Sequence, residues 1–514
     1  MITQLSFPIL LISVLMPLLL SISFPFLGRR LKPKKLAIVS FILLLVPLVT
    51  ITSIFMTPTL RGGAVDPPFF SHPFAGSFSM LLDPLSAPFA FGIGLVTALV
   101  ALYSASYMKH RIEEMEHEGL TPPSIGTYFM LYTMFSAAMM GLVLSTNLIE
   151  FYIFLELALL PSFFLIIWYG YGNRIRTAIM YLLWTHIGGL LFFLGALAFG
   201  SSTGTFDILN MQTLTFNVGL GANLPIVVML MITIGLLIKM AVFGVHIWLP
   251  YAHAEAPTPV SALLSPALIG ISGYALIRIS YILFTTQFQE ISTILLGLAL
   301  LTMIYGGLMA LAQDDFKRLL AYSSISQMGY ILLGISTLTT NGVTGGMLHF
   351  MTHAIGKSVL FMVAGSLIVQ FRGLRSIGKM GGLASKVPIT ATLTLLGFLF
   401  LVGIPPTLGL WSKLYIIVGT LDKAMAMGTI ALVLISIGLV VGAGMTAAYS
   451  FFTLKRIFLG RTPKALVGES VRGWSNLTAV IALVAIVGVA LFLYPAVFID
   501  PLKDFLGPLL PSTP

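Results

Sequence analysis

The 514-residue chain contains no cysteine, and only 9% of its residues are charged. Without thiolates it can hold neither a Cys-ligated iron–sulfur cluster nor a zinc thiolate site, and it forms no disulfide. Cysteine usage therefore says nothing about the redox compartment. Charge this sparse, against roughly 25% in soluble domains, excludes an ordinary soluble fold. No G-x-G-x-x-G follows a strand and opens a helix, so the chain offers no dinucleotide site of that type. No low-complexity linker divides it.

What the chain has is apolar length. It is 58% hydrophobic, with a mean hydropathy of +1.02. Windows of about twenty apolar residues fall near 5–27, 35–56, 84–108, 127–146, 148–170, 177–200, 224–249, 258–285, 291–312, 320–339, 343–370, 388–420, 429–453 and 475–498. An all-α polytopic membrane protein of about fourteen spans follows, with little room for a soluble domain. The first span has no basic residue before it and RRLKPKK after it, the reverse of a secretory signal, and reads as a retained anchor.

Arg29, Arg30, Lys32, Lys34 and Lys35 set the first loop as cytoplasmic and the N-terminus outside, by the positive-inside rule. Alternation from there places Lys109, Arg111, Arg174, Arg176, Lys317, Arg318, Arg372, Arg375, Lys379, Lys386, Lys455, Arg456, Arg461, Lys464 and Arg472 in inner loops. Arg61, Lys423 and Lys503 fall outside, and the long outer loop SSTGTFDILNMQTLTFNVGLGANLP has no Lys or Arg. The formal charge of +10 thus reports membrane orientation and gives no support to nucleic-acid binding. The stretch KHRIEEMEHEGLTPPSIG, with Glu113, Glu114, Glu116 and Glu118, reads as a solvated inner loop or short surface helix.

Two spans are interrupted. Span seven carries Lys239, then Gly244, and ends at Pro250. Span twelve has Gly403, Pro405, Pro406 and Gly409 before Lys413. Proline removes a backbone donor and clashes with the preceding turn, and broken helices at matching places in two halves point to an inverted-repeat transporter with its ion site at the breaks. Spans four to eight and nine to thirteen form two five-helix sets, and an odd helix number inverts the second. The chain divides accordingly into 1–126, a three-helix segment; 127–286 and 287–460, the two repeats; and 461–514, a C-terminal helix.

Four basic residues lie inside spans: Lys239, Arg278, Lys357 and Lys413. Arg278 can snorkel outward. A lysine at mid-bilayer costs roughly 3 kcal/mol, so each of the other three needs a partner or a hydrated cavity. For Lys239 the candidate partner is Glu156 in span five. Burial and pairing act oppositely on such groups, so a pair whose separation changes can take up or release a proton. In span eleven His349, His353 and Lys357 recur at i+4 on one face, a polar stripe able to relay protons. Two histidines on one helix face cannot supply opposite haem ligands without His186 or His246. Glu150 and Asp83 divide between proton-path and capping roles. His253 and Glu255 sit on the inner loop after span seven, in a rigid turn or a water gate.

The strings FLELALLPSFFLI, HIWLPYAHAEAPTPVSALL, DDFKRLLAYSSISQMGYILLGI and GIPPTLGLWSKL resemble the antiporter-like subunits of respiratory complex I over roughly residues 80 to 460. AHAEAP is more similar to subunit M (subunit 4) than to L or N, and the short stretch after the last span differs from the long lateral helix of L. The resemblance implies a glutamate–lysine pair at Glu156 and Lys239, connecting histidines at His349 and His353, and a terminal station at Lys413, along a hydrated axis in the membrane plane. Gly270 stands where the family presents a central lysine or histidine. Lys413 stands where subunit M has glutamate, a choice shared with subunits L and N, the Mrp antiporter D subunit and hydrogenase-linked relatives.

The expected function is a proton-translocating membrane subunit of a complex I-like NAD(P)H or other donor:quinone oxidoreductase, a translocase whose flavin, iron–sulfur clusters and quinone belong to partner subunits. No cofactor is expected in this chain. The alternatives are a subunit of a multi-subunit Na+/H+ antiporter or of a membrane-bound hydrogenase.

Overall fold

A computed structural model describes residues 2–209, 223–467 and 475–511. Most of the lysine- and arginine-free outer loop, residues 210–222, and Arg472 lie outside the described residues. With no water in a bilayer core, a spanning segment must satisfy its backbone internally, and helix does so within one segment. Twelve of the described helices are long and apolar enough to cross a membrane, and two shorter apolar helices stand where the interrupted spans begin.

In chain order, spans one to six are Ile9–Leu27, Pro33–Met56, Ala87–His117, Ile125–Leu144, Leu148–Tyr169 and Arg174–Thr203. Span seven is split into Leu224–Met240 and Trp248–Glu255. Spans eight to eleven are Thr258–Tyr281, Thr285–Leu311, Phe316–Ser336 and Thr340–Gln370. Span twelve is split into Pro388–Val402 and Gly409–Ala426. Spans thirteen and fourteen are Thr429–Phe458 and Asn476–Leu493, and the amphipathic helix Ala496–Leu506 follows.

Side-chain caps set several starts. Asn147 accepts from Ile149 N at 2.9 Å, Asp315 from Arg318 N at 3.0 Å and Thr339 from Gly342 N at 3.1 Å, each relieving an orphan donor of the first turn. Burial separates centre from rim. The apolar windows of spans eight, ten and eleven are 100%, 94% and 94% buried, against 22% for span thirteen, so span eleven and its stripe lie in the middle of the bundle. Spans nine and ten cross backbone to backbone. A Cβ added at Gly306 would lie 2.4 Å from Ser326 N, and one at Gly329 would lie 2.5 Å from Met303 N, the small-residue contact that membrane helices use where no hydrophobic force drives association.

The connections sort into two ends. At one, Thr3–Gln4, Ala64–Val65 and Leu81–Leu82 form a small sheet, Met80 bridges to Ser145, and Asn147 bridges to Asp207. At the other end, contacts run through the successive connections that carry most of the basic residues. The Cβ position of Gly28 falls 2.9 Å from Gly126 Cα. Tyr169 donates its hydroxyl to Ser124 O at 2.9 Å, and Tyr171 N donates to Glu255 O at 2.8 Å. Lys317 Nζ donates to Ala256 O, Arg375 pairs with Asp315 at 2.8 Å and Arg456 pairs with Asp314 at 3.0 Å. The Asp314 carboxyl is held below its ordinary range, chiefly by the Ser376 hydroxyl and further by Gly378 N–H and Arg456.

Several sequence expectations shift. The acidic stretch after span three is helical to His117, because alternating Lys109, Glu113, Arg111 and Glu114 support it through i,i+4 and i,i+3 pairs. Arg111 is buried, and its guanidinium donates to Tyr169 O and Gly170 O at 3.2 and 2.6 Å. Lys317 is buried too, inside the start of span ten. His253 and Glu255 belong to the second half of span seven, not to a loop. Arg278 does not snorkel: its guanidinium reaches both oxygens of buried Asp83 at 2.6 and 2.5 Å. Asp83 also accepts from Leu85 N and Ser86 N, so it caps and pairs at once, while Glu150 accepts from Thr146 N at 3.0 Å and closes the turn before span five.

Removing one member of a buried pair leaves an uncompensated charge, at a cost of roughly 3–5 kcal/mol. Arg278→Leu is therefore expected to lower the thermal midpoint of the purified protein, and Asp83→Leu/Arg278→Leu to recover most of the loss. Thermal aggregation in detergent measures both; equal losses in the single and double variants would contradict the pairing.

Candidate functional site

The two helix interruptions place the two unpartnered lysines. The first half of span seven ends where Ala241 adopts φ 57°, ψ 46°, a left-handed conformation that ends helices. Lys239 lies in that last turn, 3% exposed, and its Nζ has no hydrogen-bond partner. The released backbone is partly recaptured: Trp248 Nε1 donates to Ile238 O at 3.2 Å and Phe243 N donates to Thr302 Oγ1 at 3.1 Å. The carbonyl end of the half-helix carries partial negative charge, a local feature that favours an ammonium there.

Span twelve repeats the device. Its first half stops at Gly403, φ 86°, where a side chain is excluded twice over, since an added Cβ would also lie 2.9 Å from Lys413 Cδ. The Lys413 stem passes over Gly403, and its Nζ, again without a hydrogen bond, sits 3.9 Å from the centroid of the Tyr330 ring. A desolvated cation over an aromatic face is worth about 2 kcal/mol or more.

Between the breaks runs span eleven. His349 is wholly buried, with Nδ1 3.0 Å from Ser412 Oγ and Nε2 2.9 Å from Gln327 Oε1. Gln327 donates on to the Tyr449 hydroxyl at 2.9 Å. Ser412 is the residue before Lys413, so the histidine is tied directly to the terminal lysine's turn. One turn on, His353 is wholly buried beside the Pro266 backbone and lies within electrostatic reach of Lys357, His349 and His253. Lys357 donates to Leu320 O at 2.7 Å and to the Ser323 hydroxyl. Both nitrogens of buried His253 are unpartnered, and His253 lies within reach of Lys317 and Lys357. Wholly buried imidazoles with no partner are rare, because an orphan buried polar group costs roughly 1–3 kcal/mol.

Gly270 has a physical explanation. A Cβ there would lie 2.4 Å from Phe350 Cδ2, and Phe350 stacks on Phe89 with centroids 4.1 Å apart. The space a central side chain from span eight would need is filled by that ring, and Lys357 of span eleven is a wholly buried basic residue in the same interior. Span eight meanwhile adopts wide π turns at Leu264–Leu268 and Leu276–Tyr281, a distortion frequent at functional sites.

Glu156 departs from the expected arrangement. Its Oε2 lies 2.9 Å from Nδ1 of His186 in span six, not on Lys239, and its Oε1 is buried without a partner. Lys239 and Glu156 are within electrostatic reach of each other. Four members of the polar line were not singled out from the sequence as relay groups: His186, Gln327, Tyr330 and Ser412. The spacing Ser323, Gln327, Tyr330, a polar stripe at i, i+4, i+7 in a buried span, is a signal that could have found two of them.

Known proteins resemble this chain in sequence and in fold. A family model described as NADH:quinone oxidoreductase/Mrp antiporter, transmembrane, matches residues 145–442, and one for the N-terminus of chain 5 of NADH-ubiquinone oxidoreductase (complex I) matches residues 69–115. Subunit M of the NADH-quinone oxidoreductase of Rickettsia bellii is 33% identical over 336 residues, 65% of this chain and 66% of that protein, so the matched part falls just short of two thirds of that relative's length. Subunit M of the F(420)H(2) dehydrogenase of Methanosarcina mazei is 33% identical over 401 residues, 76% of this chain and 75% of that one. In fold, the chain is similar to one in respiratory complex I from Thermus thermophilus, with a TM-score of 0.83, 24% identity and coverage of 98% and 100%. It is equally similar to one in the Mrp complex from Dietzia, with a TM-score of 0.83, 22% identity and coverage of 97% of each. With a family match over more than half of its length, the chain belongs to the NADH:quinone oxidoreductase/Mrp antiporter transmembrane family.

Proposed function

We propose that this chain is a proton-translocating membrane subunit of a complex I-like quinone oxidoreductase, with Glu156, Lys239, Lys357, His353, His349 and Lys413 as its transfer line. The observation that carries the reading is the pair of buried lysines without hydrogen-bond partners, one at each helix interruption, joined by a buried polar stripe. A group held with neither counter-ion nor hydrogen bond changes protonation when a neighbouring charge moves by a few ångströms, because low dielectric magnifies that charge. Moving the Glu156 carboxylate toward Lys239 favours its ammonium, and withdrawing it favours proton release toward span eleven. Lys413, on its tyrosine ring, terminates the line.

In this reading redox energy enters through partner subunits that carry flavin, iron–sulfur clusters and quinone, and the chain contributes to a translocase without holding a redox centre. Each proton moved outward against 100 mV requires roughly 2.3 kcal/mol. The sequence relatives with redox names, NADH-quinone oxidoreductase subunits M and N and an F(420)H(2) dehydrogenase subunit, favour redox-driven pumping. The equal fold likeness to an Mrp complex keeps a Na+/H+ antiporter subunit as the second reading, and a membrane-bound hydrogenase subunit differs from the first only in its peripheral arm. The N-terminus is proposed to lie outside, with the basic loop at residues 28–35 in the cytoplasm. The two five-helix sets, 127–286 and 287–460, are proposed to be inverted repeats, supported by a helix interruption in each.

The complex purified through a tag on this chain is expected to contain iron–sulfur subunits and to reduce quinone. Small membrane partners alone, with no quinone reduction, would move the chain to the antiporter reading. Glu156→Gln is expected to abolish coupled transport in proteoliposomes while assembly is retained, and native pumping by that assembled variant would remove the central claim. Because the chain has no cysteine, Lys34→Cys gives a single label site. An impermeant maleimide should reach it in inverted vesicles and not in right-side-out ones; the opposite pattern would invert the topology.

A further inference from the structure

Glu156 reaches the edge of the bundle, and what meets it there is His186. The pair stands on the lateral face of spans five and six, with the His186 side chain 43% and the Glu156 side chain 19% exposed. Around them the face is apolar: Ile153, Leu160, Leu183, Ile187 and Leu190 are all at least 41% exposed. His186 is near the middle of the 30-residue helix Arg174–Thr203, at bilayer depth and far from either interface. An ionisable pair at that depth faces a partner or a hydrated path, not lipid.

The seat of the carboxylate is built by the same helix. A Cβ added at Gly189, one turn beyond His186, would lie 2.3 Å from Glu156 Oε1. The missing side chain at Gly189 is what lets the carboxylate lie against span six with Oε2 on His186 Nδ1 at 2.9 Å. On the inner side, Lys239 Nζ waits without a hydrogen bond. One carboxylate thus has two basic groups to choose between, one facing the axis and one facing the outside of the bundle.

We propose that His186 is the lateral proton port of this chain: it competes with Lys239 for the Glu156 carboxylate and exchanges a proton between Glu156 and a polar group of a neighbouring membrane subunit docked on spans five and six. The inference rests on the transfer line of the previous subsection and adds to it a residue, a direction and a docking face. The step balances without a co-reactant. The O–H bond of protonated Glu156 breaks as an N–H bond forms at His186 Nδ1, giving carboxylate and imidazolium, and the imidazolium returns to neutral by releasing the Nε2 proton on its exposed side. The carboxylate is then free to turn to Lys239. The other titratable groups facing the pair are Tyr152 of span five and Tyr181 of span six, both within electrostatic reach of Glu156.

The test uses the whole assembled complex in proteoliposomes, with protons moved per quinone reduced as the readout across about pH 5 to about pH 8, where imidazoles in general change charge. His186→Gln keeps a hydrogen bond to Glu156 but cannot ionise. It is expected to lower the protons moved per quinone reduced severalfold and to flatten the pH profile of that yield. His186→Arg, which stays charged, is expected to hold the carboxylate outward and lower the yield at every pH. Native yield and native pH profile in both variants, alongside loss of pumping in Glu156→Gln, would overturn the port and leave the transfer line standing. Native pumping in Glu156→Gln would instead remove the line itself. Should His186→Gln fail to assemble, Gly189→Ala displaces the same carboxylate without touching the imidazole; a native yield there would equally overturn the proposal.

Discussion

The constraint on which the rest of the structure depends is that an ammonium in an apolar bundle must be compensated by something, and helix interruption is the compensation used here. Lys239 and Lys413 each lie beside a break that frees backbone polar groups inside the bundle, where irregular backbone is tolerated only when buried in protein or lining a cavity. The breaks require the surrounding spans to be long, regular and close-packed. The backbone contacts of Gly306 with Ser326 and of Gly329 with Met303 show spans nine and ten supplying that rigidity.

Two kinds of buried charge coexist, and their chemistry differs. Arg278 with Asp83, and Arg111 with the carbonyls of Tyr169 and Gly170, are fully bonded; such groups hold connections together and have no reason to change state. Lys239, Lys413 and His253 are buried and have no hydrogen-bond partner among the described residues. Stability alone would have removed or paired the second kind, since a buried orphan costs energy with no return. Their persistence along one line through the interior is therefore an argument for function, and the fully bonded set is the background against which that line stands out.

Sequence alone made the spans legible, because twenty-residue apolar windows have a physical length set by the bilayer, and it located both interruptions through Gly244, Pro250, Gly403, Pro405 and Pro406. It also placed Lys357, His349 and His353 on one helix face. Less legible was anything that depends on which helix lies beside which. Arg278 reads as a snorkelling residue until Asp83, 195 positions away, is seen to meet it. Arg111 and Lys317 read as loop residues because a charge near a span end is normally solvated, and only the inner-end packing buries them. Gln327 and Ser412 belong to the line through contacts with His349 alone. Gly270 shows the limit from the other side: a residue with no side chain is explained by the neighbour, Phe350, that takes its place.

The ordering of these groups also fixes a direction of argument about coupling. Glu156 is within electrostatic reach of Lys239, whereas in the proposed line Lys413 is linked to that pair through span eleven. Direct Coulomb interaction over ~30 Å is worth roughly 0.6 kcal/mol at an effective dielectric of about 20, so in the proposed line coupling passes chiefly by successive local changes of protonation. Each intermediate must then be able to exist in two states without unfolding its surroundings. His349 meets that condition, since Ser412 Oγ can donate or accept and Gln327 Oε1 accepts from a protonated Nε2. Lys357 meets it as well, because Leu320 O and the Ser323 hydroxyl receive an ammonium, and the hydroxyl can donate to a neutral amine. The hydrogen bonds along span eleven are thus reversible ones, and a chain of reversible local bonds is the arrangement that carries a charge change across the bundle while the helices stay in place.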